Sequence, residues 1–130
     1  MLLLRKRRRA IAAEVHARLG EGIVAAEESA NFFGVESRGK LQIRGNGFLA
    51  ASSSQILFIM WLPRRELTIL RNRVSAVERT MSHLGKTIGR QLLRVRFTND
   101  AGQQDSVAWF VRDLQAWESA LGTVGDEAER

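Results

Sequence analysis

Three consecutive hydroxyls, Ser52-Ser53-Ser54, and two imidazoles, His16 and His83, are the first places to look for covalent or acid–base chemistry in this chain. A catalytic serine needs a base within hydrogen-bond reach. His16 falls in a helical pattern near the N-terminus and His83 in a polar loop pattern, and no Gly-x-Ser-x-Gly elbow surrounds the serines. The serines read as turn residues, and His83 as a solvated loop residue. Glu66 and Glu78 stand among arginines and read as ion-pair partners for Arg64, Arg71 or Arg73, not as paired acid/base groups. Gly85-Lys86-Thr87 matches the last residues of a phosphate loop, but the glycine-rich stretch that should precede it is missing. The chain has no cysteine, which excludes disulfides, thiol catalysis and thiolate metal sites, and the two histidines lie far apart. No catalytic residue, cofactor or metal site is expected.

Charge offers more. The 130 residues carry a formal net charge of +6, unevenly distributed. Residues 1–20 hold Arg5, Lys6, Arg7, Arg8, Arg9 and Arg18 against Glu14, and residues 40–96 hold eleven cations against Glu66 and Glu78. Residues 21–39 and 97–130 are both net acidic. Such polarity favours anionic partners without choosing among nucleic acid, phosphate and lipid. The candidate anion or membrane surface is Arg5, Lys6, Arg7, Arg8, Arg9, Lys40, Arg44, Arg64, Arg65, Arg94 and Arg96. Long arginine stems also cover apolar surface, a plainer task. Nucleic-acid binding is the alternative reading; it usually needs exposed aromatics for stacking, and aromatics are 7% of the chain.

The elements that would position these residues follow from periodicity. Ile11, Val15 and Leu19 recur at helical spacing, so residues 4–19 read as helix, with Gly20 as the stop. Residues 1–20 are thus a basic N-terminal helix or tail. Leu2–Leu4 is too short to span a bilayer and precedes the cations, the reverse of a secretory signal, so no cleavable signal is expected. Glu21–Val35 reads as strand or short helix, broken at Gly34. Leu41 and Ile43 alternate with Gln42 and Arg44 as in a half-buried strand, and Gly45-Asn46-Gly47 reads as a turn or bulge. Phe48–Ala51 resumes extended structure, and Ile56–Leu62, seven apolar residues, is a central strand closed by Pro63. Leu67–Leu70 is a strand, and Val74–Thr80 a strand or helical turn. Leu92–Phe97 and Asp105–Val111 flank a hairpin turn at Asn99–Gly102, with Arg94 and Arg96 outward. Leu114, Trp117 and Leu121 then switch to helical spacing, with Asp113 as N-cap and Gly122 as stop. Trp109 and Trp117 read as core; Trp61, beside Pro63-Arg64-Arg65, reads as core or as an interfacial rim.

The segments GNGFLAASSSQILFI (45–59), RELTIL (65–70), RVSAVE (73–78), LLRVRF (92–97), VAWFV (107–111) and LQAWESAL (114–121) resemble bacterial pleckstrin-homology-like and GRAM-like domains over residues 23–121. The resemblance implies a mainly β fold: a barrel of two near-orthogonal antiparallel sheets, about seven strands, capped by a C-terminal α-helix, here with an additional N-terminal helix. It implies a domain over 21–122 and leaves 123–130 as a flexible tail. Some members bind phosphoinositides through a basic first hairpin loop, a role for which Lys40 and Arg44 are available. The stretch Ala50–Phe58 lacks the arginine that members often carry in the second hairpin. The expected function is a non-enzymatic binding or scaffold module, with a small enzyme of unknown reaction as the third reading after nucleic-acid binding. It would engage a protein partner or an anionic lipid surface, in the cytoplasm or peripherally at the inner membrane face, with self-association open.

Overall fold

The computed structural model describes residues 2–39 and 42–122; Lys40, and the tail expected at 123–130, lie outside the described residues. Helix α1 (Leu2–Leu19) is followed by β1 (Ile23–Val35), β2 (Gly45–Ser52), β3 (Gln55–Met60), β4 (Arg65–Leu70), β5 (Val74–Thr80), β6 (Leu92–Thr98), β7 (Gln104–Phe110) and α2 (Leu114–Leu121). The seven strands form one antiparallel sheet in the order β4-β3-β2-β1-β7-β6-β5.

Two parts of the expected barrel are corrected. The strands make one continuous sheet, not two separate ones, and the sheet does not close, because β4 and β5 end it with no ladder between them. The sheet is nevertheless folded over. In strand order, β3 and β7 stand three ladder steps apart, about 14 Å across a flat sheet, yet the Phe58 and Trp109 rings are 5.8 Å apart. The strand that makes this fold possible is β1. It pairs with β2 over Ile23–Phe32 and with β7 over Asn31–Val35, with register shifts at Glu27/Ala30 and Phe32/Gly34. Such irregularities bend a strand and increase its twist. Gly34, expected to end the segment, sits inside it at φ +114, where a side chain would also press on Leu84 and Gln42.

The inner face carries the main core: Phe32, Leu49, Phe58, Val95, Phe97 and Trp109 among others. Helix α2 completes it with Trp117 and Leu121. Its ends are those the sequence implies: Asp113 Oδ1 accepts from Ala116 N at 3.0 Å, and Gly122, at φ +76, donates to Glu118 O at 2.8 Å.

The outer face of β2 and β3 carries a second apolar cluster, Phe48, Ala50, Leu57 and Ile59, covered by Ile11 and Val15 of α1. This explains the apolar run over residues 56–60; the strand ends at Met60, and Trp61 and Leu62, expected within it, lie in the turn before β4. A strand buried on both faces has no polar side to alternate with. Helix α1 is therefore packed on the body and shares a core with it.

The strand expected at 41–44 is not there among the described residues. Gln42 instead folds back, accepting from Val35 N at 2.8 Å and donating to Val35 O at 2.7 Å. Strand β2 begins at Gly45, and the Gly45-Asn46-Gly47 stretch, expected as a turn or bulge, is regular ladder against β1. Its glycines are needed for closeness, not for turning. A Cβ at Gly47 would stand 2.6 Å from Met60 Cα and also meet the Ile59 carbonyl.

Candidate anion-facing surface

The candidate cations fall into three groups. The first is the start of α1. Residues 3–10 are all exposed, and Arg5, Lys6, Arg7, Arg8 and Arg9 form no ion pair among the described residues. Positions 5, 8, 9 and 12 share one helix face. Arg5, Arg8 and Arg9 thus border a hollow of about 270 Å³ with Phe48 and Trp61 in its wall and Glu28 at its side. The Arg8 guanidinium lies 4.2 Å from the Trp61 ring centroid, a cation–π contact. Leu3, at 83% exposure, and Leu4 face out from the same stretch of helix, and Leu62, next to Trp61 in the chain, is 66% exposed.

The second group is neutralised within the protein. Arg64 grips Glu14 with two hydrogen bonds, 2.9 and 2.7 Å, and reaches Glu66 at 3.3 Å. Arg18 completes the cluster, 2.6 Å from Glu66 and 3.2 Å from Glu14. Hydrogen bonds from Arg64 and Arg18 hold the Glu14 and Glu66 carboxyls below their ordinary range. These four side chains tie α1 to the turn between β3 and β4. Arg94 and Arg96 point outward as expected, but both spend their charge on Glu78, at 2.5 and 2.6 Å. Burial pushes the Glu78 carboxyl up, and bonds from Arg96 and Arg94 outweigh it, so the carboxyl ends below its usual value. Glu66 is thus a partner of Arg64, while Glu78 serves Arg94 and Arg96, not Arg71 or Arg73. Arg71 instead donates to Ser52 O at 2.8 Å and Leu121 O at 3.2 Å, binding the β2–β3 turn to α2.

The third group lies along β1 and the free edge of β4. Arg44 stacks on Phe33 at 4.1 Å and donates to Asn31 Oδ1 at 3.1 Å, at the head of a chain of bonds through Asn46 to Ser29. Arg65 lies with Arg38 at the rim of a hollow of about 320 Å³ whose wall includes Phe32 and Phe58. Arg38 was not singled out from the sequence, because it stands in an acidic segment and only the fold brings it near Arg65.

The residues considered for chemistry are otherwise engaged. Ser52 Oγ accepts from Ser54 N and Gln55 N, both at 3.2 Å, and so fixes the β2–β3 turn. His16 is exposed, its ring edge-on to Phe48. His83 corrects the expectation of a solvated loop: it is 4% exposed, its Nε2 bonded to Gly34 O at 2.9 Å. His83 and Lys86 exchange backbone bonds of 3.0 and 2.9 Å around Leu84-Gly85, and this small hairpin lays His83 and Leu84 against β1. Gly85-Lys86-Thr87 is thus part of a hairpin, not a phosphate loop. Among the described residues no three His, Asp or Glu side chains are placed to hold a metal ion, and no helix is long and apolar enough to cross a membrane.

No protein-family model matches the sequence, and none of the curated proteins is similar to it. Among solved structures, a chain of the one titled "The 8S snRNP Assembly Intermediate" superposes with a TM-score of 0.60 at 11% identity, covering 78% of this chain and 80% of that chain. At that identity the likeness is one of fold alone.

Proposed function

We propose that the protein is a non-enzymatic, pleckstrin-homology-like binding module that docks on an anionic membrane surface through the start of α1. One observation carries this reading. The cations of residues 5–9 are exposed on a helix anchored to the body, and they form no ion pair among the described residues, whereas Arg64, Arg94 and Arg96 are neutralised internally. Leu3, Leu4 and Leu62 are the exposed apolar side chains suited to the interfacial layer, and Trp61 is suited to the headgroup level. Three leucines are too few for stable anchoring, so attraction to anionic lipid must dominate and binding must be reversible. The cytoplasmic leaflet supplies such a surface. The strand count and closing helix support the pleckstrin-homology-like assignment. The presence of a chain of similar fold in a structure titled as an assembly intermediate is in keeping with a scaffold role.

The test is sedimentation with phosphatidylcholine vesicles, with and without phosphatidylserine, over a salt series. Each exposed cation contributes about 1 kcal/mol at an anionic surface. Replacing Arg5, Lys6, Arg7 and Arg9 together by alanine should therefore lower binding by about a hundredfold or more, and salt should release the wild type. Unchanged binding by the quadruple variant would sink the proposal. Tighter binding to duplex DNA, collapsing steeply with salt, would favour the nucleic-acid alternative.

A further inference from the structure

The open side of the sheet is a groove. Two hollows of about 320 and 330 Å³ adjoin along β4 and share Arg38 and Leu67. Every residue of β4, from Arg65 to Leu70, lines one or the other. The opposite wall is the helical turn Glu36–Arg38 and the turn joining β6 to β7. Phe32 and Phe58 lie at one end; Val35, Ile69 and Phe97 lie toward the other.

Three features together specify what fits. First, among the described residues β4 pairs with β3 on one side only, so every second residue turns its N–H and C=O toward an edge that carries no ladder. A row of alternating backbone donors and acceptors is matched by another extended backbone. Second, the groove has an apolar recess against the stacked Phe32 and Phe58 rings, 5.2 Å apart. Third, positive charge is in excess at the Phe32–Phe58 end, where Arg38 and Arg65 line the hollow with Glu66, and Arg18 and Arg64 hold that acid. The other acids lie along the second hollow and its wall: Asp100 pairs with Arg73, Asp105 keeps its charge while accepting from Ser37 and Asn99, and Glu36 accepts from Ser106. Arg38 and Arg65 have no ion-pair partner among the described residues.

We infer that this groove binds an extended peptide of a partner protein as an added strand beside β4, with an apolar side chain against Phe32 and Phe58 and an acidic side chain between Arg38 and Arg65. A second copy of this chain is the weaker occupant. Its own β4 offers one acid, Glu66, which is already held by Arg18 and Arg64. This proposal is independent of the membrane reading, since it uses none of residues 5–9.

The experiment is fluorescence anisotropy with the full chain and capped peptides of about eight residues, alternating leucine and serine. One peptide has two serines replaced by aspartate, a second has them replaced by lysine, and a third is the aspartate peptide with alternate amides N-methylated. The aspartate peptide should bind saturably, at least about tenfold more tightly than the lysine peptide. It should weaken by a similar factor against Arg38→Glu/Arg65→Glu, whose urea midpoint serves as the folding control. The N-methylated peptide should fail to bind, and the aspartate peptide should slow amide exchange within residues 65–70. No saturable binding by any peptide up to about 1 mM would overturn the proposal. Equal binding by the N-methylated and parent peptides would overturn strand addition, and an unchanged affinity in the double variant would overturn the acidic recognition.

Discussion

Single residues here divide into those that neutralise and those that pack, and magnitudes separate them. Glu14 is held by two arginines, but all three side chains are about one-third or more exposed, so screening leaves such pairs worth about 1 kcal/mol or less. Glu14→Gln should therefore move the urea midpoint only slightly. Ile11, one turn away, is buried against the sheet, and Ile11→Ala should cost about 2–5 kcal/mol. If the two changes cost the same, packing does not dominate the docking of α1. Gly47→Ala should cost about 1–3 kcal/mol by overpacking, because the new methyl meets backbone atoms of Ile59 and Met60; an unchanged midpoint would show that β2 and β3 can separate. His83 makes stability depend on pH. Burial lowers its pKa, with Arg94 and Lys86 adding to the effect, while its bond to Gly34 and the charge of Glu36 oppose it. A histidine with a folded pKa below its unfolded value of about 6.5 stabilises the fold above that pH. That contribution is lost as pH falls through the folded value. Urea midpoints measured from pH 8 down to pH 5 should fall for the wild type and stay flatter for His83→Gln.

Elements were legible from the sequence where one periodicity acted alone. Leu114, Trp117 and Leu121 specified α2 together with both of its caps, and Leu92–Phe97 specified β6. Legibility failed where tertiary contact replaced local pattern. Gly45-Asn46-Gly47 has the composition of a turn, but its glycines serve the close approach of β3. Ile56–Leu62 announced a strand without showing that α1 would cover its outer face. The candidate surface was half legible. The run at 5–9 is visible in the sequence, whereas the neutralisation of Arg64, Arg94 and Arg96 depends on side chains 50, 16 and 18 residues away. At this scale the prediction concerns α2. Trp117 lies in the main core, and Trp117→Ala should destabilise by about 3–5 kcal/mol, read from a denaturant midpoint.

Over the whole molecule, the body cannot be cut from its first helix without cost. A chain starting at Gly20 would expose Phe48, Ala50, Leu57 and Ile59, so it should self-associate in sedimentation at concentrations where the full chain stays monodisperse. The central position of β1 has a consequence for synthesis. Its first partner, β2, follows directly in the chain, but its second, β7, begins at residue 104. At about 5–20 residues per second, a growing chain holds α1 and the β1–β4 meander for some seconds before the strands that complete the inner core emerge. During that interval the outer cluster is already covered by α1, while Phe32, Leu49 and Phe58 still lack Val95, Val107 and Trp109. The ribosome-bound intermediate is thus finished on one face and open on the other, and the inner face is where a chaperone would find it.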